Sequence, residues 1–384
     1  MLVVNDIARW AADFCVVGAS FGSLYMAAAS VLTLRFGRDA AHAAASSAPP
    51  VTVLVPLCGA EPGLYSRLGA LCEQDYPAPV QVLCAIQDPD DPAVAVVEKL
   101  AADCPQAAVD WQVDPGMHGR NRKMSNMINA IGRARHDVLV MIDSDIEVGR
   151  DHLSRVVGEL QQPNVGAVTC LYTGVADDGL WARLSAKTTN LHFLPGVIVG
   201  LKTNLAEPCF GSTIALTRAT LERIGGLEAF VDNLWDDYAI GQAVRAAGLE
   251  VRVSAVTVGH VCPESTGRAF FAYQLRNART IGGIDPVGYF GSVVTHPFAL
   301  ALCALPLGVG EPAVVLAGLA LASRMALCRC VTRRFGVRSS YWLLPLHDIA
   351  AFAVYVMSFF GGTIMWRGQR YRLQSDGTLL QTSH

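Results

Sequence analysis

The hydrophobic positions of this chain follow one rhythm in its middle and another at its ends. Residues 51–57, VTVLVPL, form a short β-branched run followed by a Gly-containing turn. Such a run predicts a buried strand. In GLYSRLGALCEQ, from Gly63, the leucines Leu64, Leu68 and Leu71 recur at helical spacing. VQVLCAI (80–86) predicts a second strand, and DPAVAVVEKLAADC, from Asp91, a helix opened by Asp-Pro. AAVDWQV predicts a third strand, NRKMSNMINAIGRA a helix from Asn121, HDVLVMI a fourth strand, and RDHLSRVVGELQQ the next helix. Continuous apolar strands alternating with helices predict an α/β domain whose parallel sheet is covered on both faces.

At the N-terminal end, residues 14–34 carry no charge over 21 positions, and a helix of about 20 residues crosses a bilayer core. Arg35 and Arg38 follow at once. A signal peptide would place its cations ahead of the apolar core; AAHAAASSAPP (40–50) leaves cleavage open, but an anchor with everything downstream cytoplasmic is the preferred expectation. Three apolar runs recur later, at 293–309, 312–328 and 341–365, interrupted only by His296, Arg324, and His347 with Asp348. The basic loop RCVTRRFGVR lies between the last two. Three complete spans would place the tail WRGQRYR outside, against the positive-inside rule. One run is therefore expected to be interfacial or re-entrant, with 293–309 the candidate because it is short and carries Pro297 and Pro306. Three segments result: an anchor and linker (1–47), an α/β domain (48–270) and a second membrane region (271–384). Within the middle segment, LHFLPGVIVGL (191–201) is either a core helix or an interfacial lip.

Composition agrees with that division. The chain is 52% hydrophobic and 16% charged, against about 25% charged in soluble domains. Its net charge of −3 gives no footing for nucleic acid. Eleven cysteines without a CxxC pair, several in apolar runs (Cys15, Cys84, Cys303), read as small buried hydrophobes in a reducing compartment.

The chemistry is expected on one rim. Ligands of parallel sheets bind at the carboxyl ends of strands. Gly59 and Glu61 follow the first strand, Asp88 the second, and Asp143 and Asp145 the fourth. VLVMIDSDIEV drives a buried strand straight into two carboxylates, and burying unpaired charge is costly. In Asp143-Ser144-Asp145 both carboxylates can face one side of an extended turn and hold Mg²⁺ or Mn²⁺, leaving coordination sites for a diphosphate. Asp236 and Asp237 open the helix AIGQAVRAAG, where they either complement the helix dipole or do chemistry.

Taken in order, VTVLVPLCGAEP, the Asp88 site, GRNRKMSNMINA, DSD, CFGSTIALTR, WDDYAIG and WRGQRYRL resemble the ceramide glucosyltransferase family, and within it the bacterial hopanoid-biosynthesis glycosyltransferases. The resemblance runs from Val51 to Leu373. It implies a glycosyltransferase A fold, a UDP-sugar donor, a lipid acceptor in the bilayer and a bacterial inner-membrane location with the catalytic domain cytoplasmic. It assigns the uracil or ribose to Asp88, and the nucleotide to Lys123 and Asn126. Asp143 and Asp145 would hold metal and diphosphate. Asp237 is the implied base, with Asp236 its rival, in an inverting transfer. FFAYQLRNART resembles the family's (Gln/Arg)-x-x-Arg-Trp motif, placing Arg276, with Arg279 nearby, at the leaving diphosphate. Tyr273 and Asn277 depart from that motif, Asn277 standing where the tryptophan is expected. Gly211 and Ser212 are expected beside the donor sugar, and His260 at metal or phosphate. The implied sugar is N-acetylglucosamine and the implied acceptor a bacteriohopanetetrol-type hopanoid; glucosylation of ceramide is the alternative. A non-catalytic nucleotide-sugar-binding module is the alternative of another class, favoured by Asn277.

Overall fold

The computed structural model describes residues 2–38, 48–360, 363–366, 369–373 and 379–381. Residues 40–47 of the expected linker AAHAAASSAPP lie outside the described residues, as do Arg367 and Gly368 of the tail motif. In chain order the elements are α1 (Leu2–Arg35), β1 (Val51–Pro56), α2 (Leu64–Cys72), β2 (Val80–Ile86), α3 (Ala93–Asp103), β3 (Ala108–Val113), α4 (Arg122–Ile131), β4 (Val138–Met141), β5 (Ile146–Glu147) and α5 (His152–Leu160). Then follow β6 (Val165–Ala176), α6 (Gly179–Thr188), a π-helical turn (Thr189–Phe193), α7 (Leu194–Lys202), β7 (Ile214–Thr217), α8 (Arg218–Arg223), α9 (Asp236–Ala246) and β8 (Glu250–Cys262). The last part holds α10 (Gly267–Ile284), α11 (Pro286–Gly291), α12 (Pro297–Ala304), α13 (Glu311–Phe335), α14 (Leu344–Ser358), β9 (Thr363–Trp366), β10 (Gln369–Leu373) and β11 (Leu379–Gln381).

These elements form two compact units. One comprises Gly37–Tyr172 and Glu207–Val261; the other comprises Met1–Phe36, Thr173–Ala206 and Cys262–His384. Residues 173–206 therefore cluster with the terminal helices, although they lie within 48–270 in sequence.

The first of these units has the expected α/β fold, on different bounds from the expected 48–270. An eight-stranded sheet runs in the order β3-β2-β1-β4-β7-β6-β8-β5. The four strands predicted from sequence, β3, β2, β1 and β4, are parallel. β7 then enters antiparallel to β4, and β6 antiparallel to β7. Side chains alternate across the strands. Val51, Val53 and Val55 join Val82, Cys84, Val138 and Val140 on one face, covered by Leu64, Leu68, Val97, Leu100, Leu153 and Val156 of α2, α3 and α5. Leu54, Leu83, Leu139 and Met141 face the other way, onto Met124 and Met127 of α4 and Ile240 and Val244 of α9. Burial on both faces explains why these strands read as continuous apolar runs.

The second unit has the opposite exterior. Along α1 the residues Ile7, Trp10, Phe14, Val17, Phe21, Leu24 and Val31 are exposed at heptad-like spacing. Small residues sit on the inner side: Ala19, Ala301, Ala304, Ala313 and Ala317 share one cluster. A side chain on Gly18 would meet Leu300 at 2.9 Å, and one on Gly22 would collide with the Val294 carbonyl. Apolar outside and small inside is the pattern of helices packed in lipid. Among the described residues, three helices are long and apolar enough to cross a membrane: Asp6–Arg35, Glu311–Phe335 and Tyr341–Ser358. The run at 293–309 contributes to a helix pair, Pro286–Thr295 and Pro297–Ala304, bent by 68°. The run at 191–201 lies in this unit, where α7 packs on α1. All eleven cysteines are free, and Cys15 and Cys84 are buried as expected. Cys303 corrects that reading, because it is exposed on α12.

Candidate active site

The carboxylate turn leaves the end of β4 under restraint from both sides. The Ile142 N–H donates to Leu54 O at 3.1 Å, and the Asp143 N–H donates to Gly211 O at 3.3 Å. On the other side the Val261 N–H donates to Asp145 O at 2.9 Å, and β5 pairs with β8 so that Ile146 faces His260. Beneath the turn lies Arg67 of α2, only 6% exposed. Its Nε donates to Ser144 O at 2.7 Å, its Nη1 donates to Pro62 O at 2.8 Å, and Glu61 pairs with it at 3.5 Å. The guanidinium thus ties the loop after β1 to the turn after β4.

The two aspartates point to different partners. Lys123 Nζ lies 2.7 Å from Asp143 Oδ1 and 3.1 Å from Asp236 Oδ2. His260 Nε2 lies 3.2 Å from Asp145 Oδ2. Lys123 reaches this place because α4 starts just before it. Asn121 caps that helix, its side chain accepting from the Met124 N–H at 3.2 Å. The same Asn121 amide donates to Asp236 Oδ1 at 3.2 Å, linking the starts of α4 and α9. Among the described residues, the hydrogen bonds to Asp237 come from backbone: its oxygens accept from the Gly211 N–H at 3.0 Å and from the following Tyr238 N–H at 2.8 Å. A carboxylate has about four lone-pair positions, so acceptor capacity remains on it. Gly211 is the hinge of the arrangement. A Cβ there would sit 2.6 Å from Asp143 Oδ2 and 2.9 Å from Lys123 Nζ.

Electrostatics follow from this crowding. Burial pushes the Asp143 carboxyl up to about 6; Lys123 pulls it down while Asp145 and Asp236 push it further up. Burial raises Asp237 as well, reinforced by Asp236. Asp145 ends below its usual value, because His260, Lys123 and Arg67 outweigh its burial. Burial opposes the Lys123 charge, but Asp143, Asp236 and Asp237 together hold it firmly protonated. Four carboxylates meet two permanent cations here, Lys123 among them and Arg67 beneath the turn, so the site is short of positive charge. The two carboxylates are the hard oxygen donors a divalent ion takes. Among the described residues, however, the one group of three His, Cys, Asp or Glu side chains with ligand atoms within 4.8 Å of one another is His192, His347 and Asp348, so an ion between Asp143 and Asp145 would have to draw them from Lys123 and His260.

The remaining expected residues are placed variously. Asp88 is exposed on the loop after β2, its carboxylate accepting from the Asp90 N–H at 2.9 Å. Asn126 is buried in α4 and donates to Leu57 O at 3.3 Å, while its Oδ1 has no partner. Ser212 is 4% exposed and donates its hydroxyl to Cys170 O at 2.8 Å, so of the Gly-Ser pair only Gly211 touches the charged cluster. Arg276 and Arg279 lie on α10, in the other unit. Arg276 stacks on Tyr273 at 5.1 Å, and Arg279 donates to Phe360 O at 2.7 Å. Two residues of the cluster escaped the sequence reading. Arg67 had a signal, a charge three residues after Leu64 on the buried stripe of α2. Asn121 had one too, an N-cap amide ahead of a helix.

Known proteins place the chain among sugar-transfer proteins. The sequence profile of glycosyl transferase family 21 matches residues 15–379. A ceramide glucosyltransferase of Gibberella zeae is 31% identical over 135 residues, 33% of this chain and 26% of that protein. An N-acetylglucosaminyltransferase of Rhizobium meliloti is 28% identical over 134 residues, 35% of this chain and 30% of that protein. The chain spans between 20% and 44% of the length of the first curated relatives it matches. Among solved structures, a mannosyltransferase from Pyrobaculum calidifontis in complex with GDP-Man and Mn²⁺ superposes with a TM-score of 0.49 at 22% identity, covering 90% of this chain and 99% of that one. The profile covers nearly the whole length, and the chain belongs to glycosyl transferase family 21.

Proposed function

We propose that this protein is a membrane-bound inverting glycosyltransferase. It moves a sugar, N-acetylglucosamine, from a UDP-sugar to a hydroxyl of a hopanoid of the bacteriohopanetetrol type. The observation that carries the reading is the convergence of Asp143, Asp145, Lys123, Asp236 and Asp237 on one rim, with Gly211 touching three of them. Family membership and the printed names of the relatives support sugar transfer, and the bacterial relative supports N-acetylglucosamine.

Asp143 and Asp145, with His260, would hold Mg²⁺ or Mn²⁺. Such an ion supplies charge stabilisation to a leaving diphosphate. Lys123 places a second positive charge beside the same phosphates. Asp88 and Asn126 serve the nucleoside end, and the Gly211–Ser212 loop the sugar end. Arg276 and Arg279 are assigned to the departing UDP by resemblance of their motif. Asp237 takes the proton from the acceptor hydroxyl, and burial, with Asp236 beside it, raises its proton affinity above that of a free carboxylate. The acceptor oxygen attacks the anomeric carbon from the face opposite UDP, the C–O bond to UDP breaks, and an α-linked donor yields a β-glycoside. Asp236, already shared between Lys123 and Asn121, is the weaker candidate for the base. The apolar exterior of the helical unit supports a lipid acceptor in a bilayer; the bacterial inner membrane, with the catalytic domain on its cytoplasmic side, is the location the proposal assigns.

A second reading, ceramide glucosylation from UDP-glucose, draws on the names of several relatives. Lipid analysis of cells with and without the gene separates the two. Loss of a hexosamine-bearing hopanoid is the expected result; unchanged hopanoids with loss of a glucosylated ceramide would transfer the assignment. No turnover by purified protein with any lipid acceptor, despite donor binding, would leave a non-catalytic binding module.

A further inference from the structure

The helical unit contains a basic cavity that the proposed reaction does not use. It has a volume of about 60 Å³ and lies between α6 with its π-helical continuation and the end of α13 with the loop that follows. Lys187 forms part of its wall. This lysine is 5% exposed, and its ammonium donates to Ser339 Oγ at 2.7 Å, with no carboxylate paired to it among the described residues. A buried cation hydrogen-bonded to a hydroxyl, with Asp348 acting on it only at a distance, is costly unless an anion joins it. Arg183 and Arg338, both exposed, add two further cations to the lining, again with no ion pair among the described residues. Thr332 also faces the cavity, and its hydroxyl is buried without any hydrogen-bond partner. Among the described residues, no Asp or Glu lines the space. Three donors of positive charge, an unused hydroxyl and no carboxylate describe a receptor for a phosphate group.

Position selects the source of that phosphate. The cavity sits at the last turns of a helix long enough to cross a membrane. The end of α1 is level with it: the Phe36 and Phe335 rings lie 6.3 Å apart, and Arg334 Nε donates to Phe36 O at 2.7 Å. Arg35, Arg329, Arg333, Arg334 and Arg338 gather at this end, with no acidic residue between Glu311 and Asp348. This is where a bilayer of anionic lipids presents its headgroups. The geometry points to a site for the phosphate of one anionic phospholipid, held by Lys187, Arg183 and Arg338. The inference does not rest on the proposed reaction, since neither a hopanoid polyol nor ceramide carries phosphate.

The test is thermal unfolding of the full chain in neutral detergent, titrated with phosphatidylglycerol, phosphatidylcholine or inorganic phosphate. Phosphatidylglycerol should raise the unfolding temperature saturably, and the other two should not. Arg183→Gln and Arg338→Gln should each raise the half-saturating concentration about fivefold. Lys187→Met should remove saturation, and the two arginine variants carry the test if it does not fold. Arg333→Gln, exposed and outside the cavity, should leave the titration unchanged. An equal response to phosphatidylcholine, or equal effects of Arg333→Gln and Arg338→Gln, would overturn the site in favour of diffuse surface attraction. Saturation by inorganic phosphate alone would overturn the lipid assignment and give the pocket to a free oxyanion.

Discussion

Gly211 shows how much of the candidate site hangs on one missing atom. Its N–H positions Asp237, its carbonyl receives Asp143, and its absent side chain leaves room for Lys123. Gly211→Ala should lower stability by about 1–3 kcal/mol and weaken metal-dependent donor binding, as seen by unfolding and titration calorimetry. Asp237→Asn should keep donor binding within about twofold while cutting turnover by roughly 10²–10⁴; wild-type turnover would move the base to Asp236. Protonation adds a third expectation. Asp143 binds its proton more tightly folded than unfolded, so its contribution to the stability of the metal-free protein declines as pH rises from about 4 towards about 6. Above that range a divalent cation meets an ionised Asp143, and below it competes with a proton. The stabilisation produced by Mn²⁺ should therefore be full near pH 7.5 and shrink as pH falls through about 6. At this scale the carboxylates were legible, because a buried strand running into DSD has few explanations. Lys123 was legible only as a nucleotide contact, and its bridge between Asp143 and Asp236 depends on α9, over 100 residues away. Ser212 looked equivalent to Gly211 because sequence does not say which neighbour faces the core.

Among the elements, the helices of the second unit carry an unusual interior. Arg324, in the middle of α13, is fully buried. It donates to Asp348 at 3.1 Å, to Leu191 O at 2.9 Å and to Thr295 O at 2.6 Å. Leu191 lies in the π-helical turn, and Thr295 at the bend before Pro297. Both are places where a helix leaves carbonyls unpaired, and in lipid such groups need an internal partner. Arg324 supplies it, while Asp348 balances the charge. His192, His347 and Asp348 have ligand-capable atoms within 4.8 Å of one another, but a metal ion there would have to share Asp348 with this arginine. Arg324→Met should destabilise the protein on the order of 3–5 kcal/mol, measured by unfolding in detergent; an unchanged midpoint would show the bend to be held by packing alone. The apolar helices were readable from composition, and so was a break near Pro297. The membership of α6 and α7 was not, because 191–201 is as apolar as a core helix and nothing local distinguishes the two.

For the molecule as a whole, the chain builds an α/β unit and a helical unit from interleaved segments. The order of strands and helices in the first was readable because β1, β2 and β4 are buried on both faces. Strands β6 to β8 were not: β7 reverses direction against β4, and β6 against β7. The exposed apolar stripe of α1 predicts that alkaline carbonate will not release the protein from membranes; release into the supernatant would contradict the bilayer reading. The central claim is that Asp143 and Asp145 hold a divalent ion against a sugar-nucleotide diphosphate. Calorimetric titration of UDP-N-acetylglucosamine into the intact protein, with and without Mn²⁺, tests it most directly. The account predicts binding that requires the ion and weakens at least about tenfold in Asp145→Ala. Equal affinity with and without the ion, unchanged in that variant, would contradict it.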